Sequence, residues 1–204
     1  MVPPSELPEV AALPPRRLPV WLPKALFESA LIVLSVLLAL GVDEWRDGRA
    51  RQRRVREAVA AVQAELRENR RLVQEAAAYH SALADTFSVL AASGAARPDP
   101  DMFPRGLLAP ASVLRNAWES AETSGATNEM PYAIVLQLSK VYARQAEYEA
   151  VARALLEGTY NQLARDGVDA LLGRYTHFIV LEQDFAGRER QLANLYNQVL
   201  GATK

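Results

Sequence analysis

Between Glu28 and Asp43 stand fourteen residues without a charge, SALIVLSVLLALGV, the one segment apolar enough to challenge a purely globular reading of the chain. At about 1.5 Å per residue a helix of this length covers roughly 21 Å, short of the ~30 Å hydrocarbon core of a bilayer. Length alone leaves three readings: a retained membrane span, the buried helix of a soluble domain, and a cleaved export signal.

The flanks favour a retained span over residues 24–47. Trp21 and Trp45 bracket it, and a helical rise of about 36 Å between them puts both indoles near headgroup depth. Lys24 and Glu28 lie one turn apart and can pair or reach toward the interface, and Pro23 suits a first helical turn. A signal peptide would use the basic leader and the small residues Ala39 and Gly41, but Glu28 abuts the apolar core and the leader is long.

Six arginines follow within a short distance: Arg46, Arg49, Arg51, Arg53, Arg54 and Arg56. Beside a span they fit anionic headgroups, each adding about 1 kcal/mol of attraction on an anionic leaflet. Nucleic acid is the weaker partner, because Asp43, Glu44, Asp47 and Glu57 are interleaved and no aromatic platform accompanies them. Three basic residues precede the span, so the count leans toward a cytoplasmic C-terminal part at a bacterial inner membrane.

Residues 1–23 hold seven prolines and read as an extended, mobile tail. The basic, proline-rich stretch from Pro15 to Pro19 has the composition of a recognition ligand, but a plain linker is the better reading of it. A net charge of -1 over 204 residues gives no overall field toward polyanions, and the absence of cysteine excludes disulfides and thiolate chemistry.

Beyond the span, apolar or small residues recur at steps of four and three through Val55, Val59, Val62, Leu66, Asn69, Val73, Ala76, His80, Leu83, Phe87 and Leu90. That 3.5-residue period predicts one long helix, a stalk over residues 48–93, ended by Gly94. Extrapolated backward, the phase meets Gly48, Trp45, Gly41, Leu38, Leu34 and Leu31, so span and stalk form one helix. A seam of Leu34, Gly41, Gly48, Val55, Val62, Asn69 and His80 would serve a parallel homo-oligomer, with Asn69 setting register; the competing account covers it with the chain's own later helices.

A loop is expected over 94–110, rich in proline, then helices over 111–123, 131–157 and about 166–200, with a short connection around Gly158 to Gly167. The second of these repeats the steps of four and three through Ile134, Leu138, Val141, Gln145, Tyr148, Ala152 and Leu155, and the last carries a like seam through Leu171, Tyr175, Phe178, Glu182, Phe185, Leu192, Tyr196 and Val199. The fold class is all-α: an N-terminal transmembrane helix continuing into a long helix packed in a bundle, with residues 111–204 completing it.

Three stretches, ESALIVLSVLLALGVDEWRD at 28–47, ELRENR at 65–70 and WESAETSGATNEMPYAIVLQLSKVYARQAEYE at 118–149, resemble a family of uncharacterised bacterial single-span membrane proteins. The residues that carry the likeness are Glu28, Trp45, Trp118, Ser124, Gly125, Ala126 and Tyr142. The resemblance implies a membrane anchor and a helical domain of unknown function, and no activity.

No nucleophile with a base, metal constellation or glycine-rich cradle stands out, so neither an enzyme nor a cofactor is expected. His80 and His177 lack the glutamate three residues earlier that a ferritin-like site requires. Glu119 and Glu122 share a helix face but read as solvated, and the loop 123–127 reads as a capping turn. Glu182 and Glu189 interrupt the last seam, either facing basic partners or drifting to the surface. The function expected is a membrane-anchored interaction or accessory protein bound to another membrane or membrane-associated protein; the alternative is a sensor-like bundle for a small molecule.

Overall fold

The computed structural model describes residues 21–95 and 97–202, so residues 1–20 of the expected tail fall outside the described residues, and its last two, Leu22 and Pro23, already belong to the first helix. The described residues are all-α, with no strand. They divide into two compact units, one up to Arg49 and one from Ala50 onward.

The first helix, α1 (Leu22–Ala92), runs without interruption through the apolar run and the stalk. It opens with Pro23 in its first turn, where a missing N–H costs nothing. It closes in a Schellman turn: Gly94, at φ 72°, donates to the Ala91 carbonyl while Ala95 donates to that of Leu90. From Leu26 to Trp45 the apolar side chains of α1 are exposed, and this helix is long and apolar enough to cross a membrane.

The second unit packs α1 from Ala50 onward against α2 (Asn116–Thr123), α3 (Ala126–Glu129), α4 (Tyr132–Leu172) and α5 (Tyr175–Ala202). Every seam position from Val55 to Leu90 is buried or half-buried within this one chain. Val62, Leu66 and Val73 meet Leu138, Val141 and Tyr148 of α4 and Phe185, Leu192 and Tyr196 of α5 in the main core. Leu83 and Phe87 join Tyr175 and Phe178 in a second cluster. The 3.5-residue period of α1 is thus satisfied intramolecularly over this stretch, because the facing helices carry the same period.

Three boundaries depart from the sequence reading. The helix expected over 111–123 begins only at Asn116; before it stand a 3-10 turn at Pro100–Met102 and a further turn at 104–105, and residues 108–115 have no regular secondary structure. The turn after α2 adds the short α3, with Gly125 at φ 74° as its hinge. Most of the expected connection at 158–167 is helix: α4 passes straight through Gly158, kinks at Gly167 (φ 78°, ψ 168°), and the chain turns back at Gly173 and Arg174. A lone glycine weakens a helix by only about 1 kcal/mol, so Gly158 does not end one whose Tyr148 and Ala152 are packed.

Candidate functional site: two buried polar knots beneath an inlaid segment

Residues 107–115 lie across the bundle without helical hydrogen bonds of their own, and Leu108, Ala111 and Val113 pack on the main core. Backbone N–H and C=O groups placed there need partners. The partners come from the seams: Asn69 and Gln145 take the Leu114 backbone, and His80 and Tyr148 accept from the Ala109 and Ala111 N–H groups. Among the described residues Glu65, Asn69, His80, Gln145, Glu182 and Glu189 are the buried polar side chains, all but Glu65 at 1% exposure or less.

The first knot centres on Asn69. Its Oδ1 accepts from the Leu114 N–H at 2.7 Å, and its Nδ2 donates to the Leu114 carbonyl at 2.7 Å and to Gln145 Oε1 at 3.2 Å. Gln145 Nε2 donates to the same carbonyl, and Tyr196 donates to Gln145 Oε1. One turn earlier, Glu65 accepts from the Ala117 N–H at 2.7 Å and from the Tyr142 hydroxyl at 2.5 Å. The N-cap position of α2, Arg115, makes no side-chain bond to it. Glu65 supplies that cap from another helix, a carboxylate on the positive end of α2. Trp118 stacks on Tyr142, centroids 5.3 Å apart and 14° from parallel. Glu65, Trp118 and Tyr142 thus meet in one place. Burial and the Glu65 carboxylate push the Tyr142 phenol well above its usual range.

The second knot centres on His80. Its Nδ1 lies 2.8 Å from Glu189 Oε2, and its Nε2 accepts from the Ala109 N–H at 3.3 Å. These contacts assign the ring proton to Nδ1. Tyr148 donates to Glu189 Oε1 at 2.7 Å and accepts from the Ala111 N–H at 2.6 Å. Glu182 Oε2 stands 3.9 Å from His80 Nε2, and neither Glu182 oxygen meets a hydrogen-bond partner. Burial, reinforced by the Glu189 charge, pushes the Glu182 carboxyl up to about 8, so it is held uncharged at neutral pH. Phe185 walls the knot, its ring 5.3 Å from His80.

A carboxylate, a histidine and a tyrosine in hydrogen-bonded series are acid and base groups in reach of one another. Here the position facing Nε2 holds a backbone amide instead of a nucleophile. Among the described residues no group of three or more His, Asp or Glu side chains is arranged to hold a metal ion. The knots hold the segment and hold protons.

The sequence-marked residues separate into three places. Asn69 and His80 are fully buried with partners in their own chain, so the register-setting role between symmetry mates gives way to that of anchoring residues 109–114. Val62 is in the core and Val55 packs on a small cluster of Ala121, Ala126 and Met130, whereas Leu34 and Gly41 are exposed and Gly48 half-buried. Trp21, Trp45, Arg46, Arg49, Arg51, Arg53 and Arg56 are exposed; the Arg49 guanidinium lies 4.1 Å over the Trp45 ring, and Lys24 pairs with Glu28 at 4.0 Å. Arg54 is committed elsewhere, 3.0 Å from Glu129.

Glu119 pairs with Arg115 at the surface, and His177 is exposed. Glu182 and Glu189 are the residues whose role the sequence reading missed: they neither face arginine or lysine nor drift to the surface, but close on His80. Their spacing of seven, opposite a histidine on another seam, was the available signal. Comparison with family models, with curated proteins and with solved structures finds no match for this chain.

Proposed function

We propose that this chain is a single-pass membrane protein, of the uncharacterised bacterial kind its sequence resembles, whose helical second unit serves as an interaction or accessory module. The observation that carries the reading is the exposure of the α1 side chains from Leu26 to Trp45, including Phe27, Ile32, Val33 and Leu37, each more than half exposed. Each such side chain left in water forgoes about 1.5–3 kcal/mol. A bilayer is the solvent that removes this cost along one helix, and a helix keeps its backbone bonds satisfied there. Trp21 and Trp45 anchor the two interfaces, and the arginines from Arg46 to Arg56, apart from Arg54, meet anionic headgroups.

The arginine excess after the span favours the inner membrane with residues 50–204 on the cytoplasmic side. Neither knot opens onto a nucleophile, which supports binding to another membrane or membrane-associated protein over catalysis. Retention of the intact chain in the membrane pellet after carbonate and high-salt washing is the expected result. Recovery of uncleaved protein in the supernatant overturns the anchor.

A second reading, a small-molecule sensor, is favoured by one feature. An open groove of about 310 Å³ between α4 and α5, lined by Arg144, Arg188, Gln191 and Leu195, has Tyr148 of the second knot in its wall. Its size is at the lower end of small-molecule pockets, roughly 300–1,000 Å³. A ligand screen read by thermal shift separates the two readings, the sensor requiring a hit abolished by Arg188→Ala.

A further inference from the structure

The lone pair on His80 Nε2 is wanted by two groups. The Ala109 N–H uses it, 3.3 Å away, and Glu182 Oε2 stands 3.9 Å from the same nitrogen with no partner of its own. The other ring nitrogen is committed to Glu189, whose second oxygen is taken by Tyr148. The groups facing Glu182 are His80 and the Tyr79 phenol from α1 and Glu189 from its own helix. Tyr148 of α4 stands behind Glu189, and Arg105 of the loop lies over the Tyr79 ring.

We propose that residues 107–111 form a proton-linked latch, seated on the bundle while Glu182 keeps its proton and lifted when Glu182 releases that proton to solvent. The ionised carboxylate would face an acceptor lone pair in a dry site, beside the Glu189 charge, with no donor in reach. Such a charge is stable only once water reaches it. Water enters if the overlying segment lifts. Passing the proton to His80 Nε2 gives no escape, because that nitrogen then becomes a donor and the Ala109 N–H loses its acceptor. Both routes break the same bond. Lifting uncovers the apolar surface beneath Leu107 and Leu108, which pack on the second and first core clusters. The inference does not depend on where the chain resides.

The test is amide hydrogen exchange on the full chain in detergent micelles from pH 5 to 9, corrected for the intrinsic rate. Burial holds the Glu182 carboxyl near 8 when the latch is seated. Coupled release of one proton makes protection at Ala109 and Ala111 fall about tenfold per pH unit between roughly 5 and 8, then level off. The amides of Leu66 and Val73 exchange far more slowly, marking the opening as local. In Glu182→Gln the slope disappears.

A wild-type slope of zero overturns the latch, as does an equal slope in Glu182→Gln. Exchange of Ala109 as slow as that of Leu66 also overturns it, since the event is then global unfolding. If Glu182→Gln does not fold, infrared spectroscopy of the wild type decides. A protonated-carboxyl stretch must vanish where the Ala109 protection levels off, and its absence at pH 6 refutes the proposal.

Discussion

Replacing Asn69 by aspartate changes one group, the carboxamide NH2, into oxygen and leaves the side chain's shape intact. The acceptor that serves the Leu114 N–H survives. The other end then points an oxygen at two acceptors, the Leu114 carbonyl at 2.7 Å and Gln145 Oε1 at 3.2 Å, in a fully buried site. A buried charge without a partner costs about 3–5 kcal/mol, a large share of the roughly 5–15 kcal/mol that holds a domain together. For a unit spanning residues 50–204 that corresponds to a Tm lowered by roughly 6–20 °C.

The loss must shrink toward pH 5. Burial raises the new carboxyl's pKa, and once protonated it can again donate to the Leu114 carbonyl. Circular-dichroism melts of the full chain in detergent micelles, at pH 7.5 and pH 5 and over a hundredfold range of protein concentration, measure all of this. A cost below about 1 kcal/mol at pH 7.5 refutes the buried arrangement, since such a charge would have to be solvated. A Tm loss that grows on dilution refutes the intramolecular assignment, because only an Asn69 pair between copies would couple the damage to association.

Glu182→Met, which fills the same space without a charge, should stabilise the protein at pH 8. The sign follows from the raised carboxyl, about 8 when folded against 4.5 for a glutamate free in water: stability is complete below 4.5, falls as pH rises through the window, and is flat beyond 8. The difference in urea unfolding free energy between variant and wild type should therefore widen by up to about 5 kcal/mol from pH 4.5 to 8, and a constant difference counts against it. Gly158→Ala should raise stability by about 0.5–1 kcal/mol, with open space at that helical position, whereas Gly167→Ala should lower it by about 1–3 kcal/mol, because φ 78° with ψ 168° suits glycine alone. Equal signs from the two alanines, read by thermal denaturation, rule out the kink. A cysteine at Gly48, on the half-buried part of the α1 seam, should give disulfide dimers in native membranes if the seam through the span associates; none there, with dimers from the half-buried Ala95 position beyond the end of α1, removes that association.

Much of the fold was legible in the seams. The positions from Val55 to Leu90 and from Ile134 to Leu155 were identifiable from spacing alone, since helical geometry puts steps of three and four on one face whatever covers that face. The apolar run was legible for the same reason, its length and composition being local properties. Helix ends were readable where the backbone itself dictates them, as at Gly94, and unreadable where packing overrides propensity, as at Gly158. Spacing could not say what the polar seam residues face. Asn69, His80 and Glu189 sit at heptad positions that a second copy, a basic partner or solvent could equally have met. Only the tertiary structure lays residues 107–115 across them, 29 residues from His80 at Ala109 and 45 from Asn69 at Leu114. A backbone without helical bonds of its own, brought into a helical core, must find donors and acceptors from outside itself, and which side chains supply them depends on contacts far apart in the chain that no local pattern encodes.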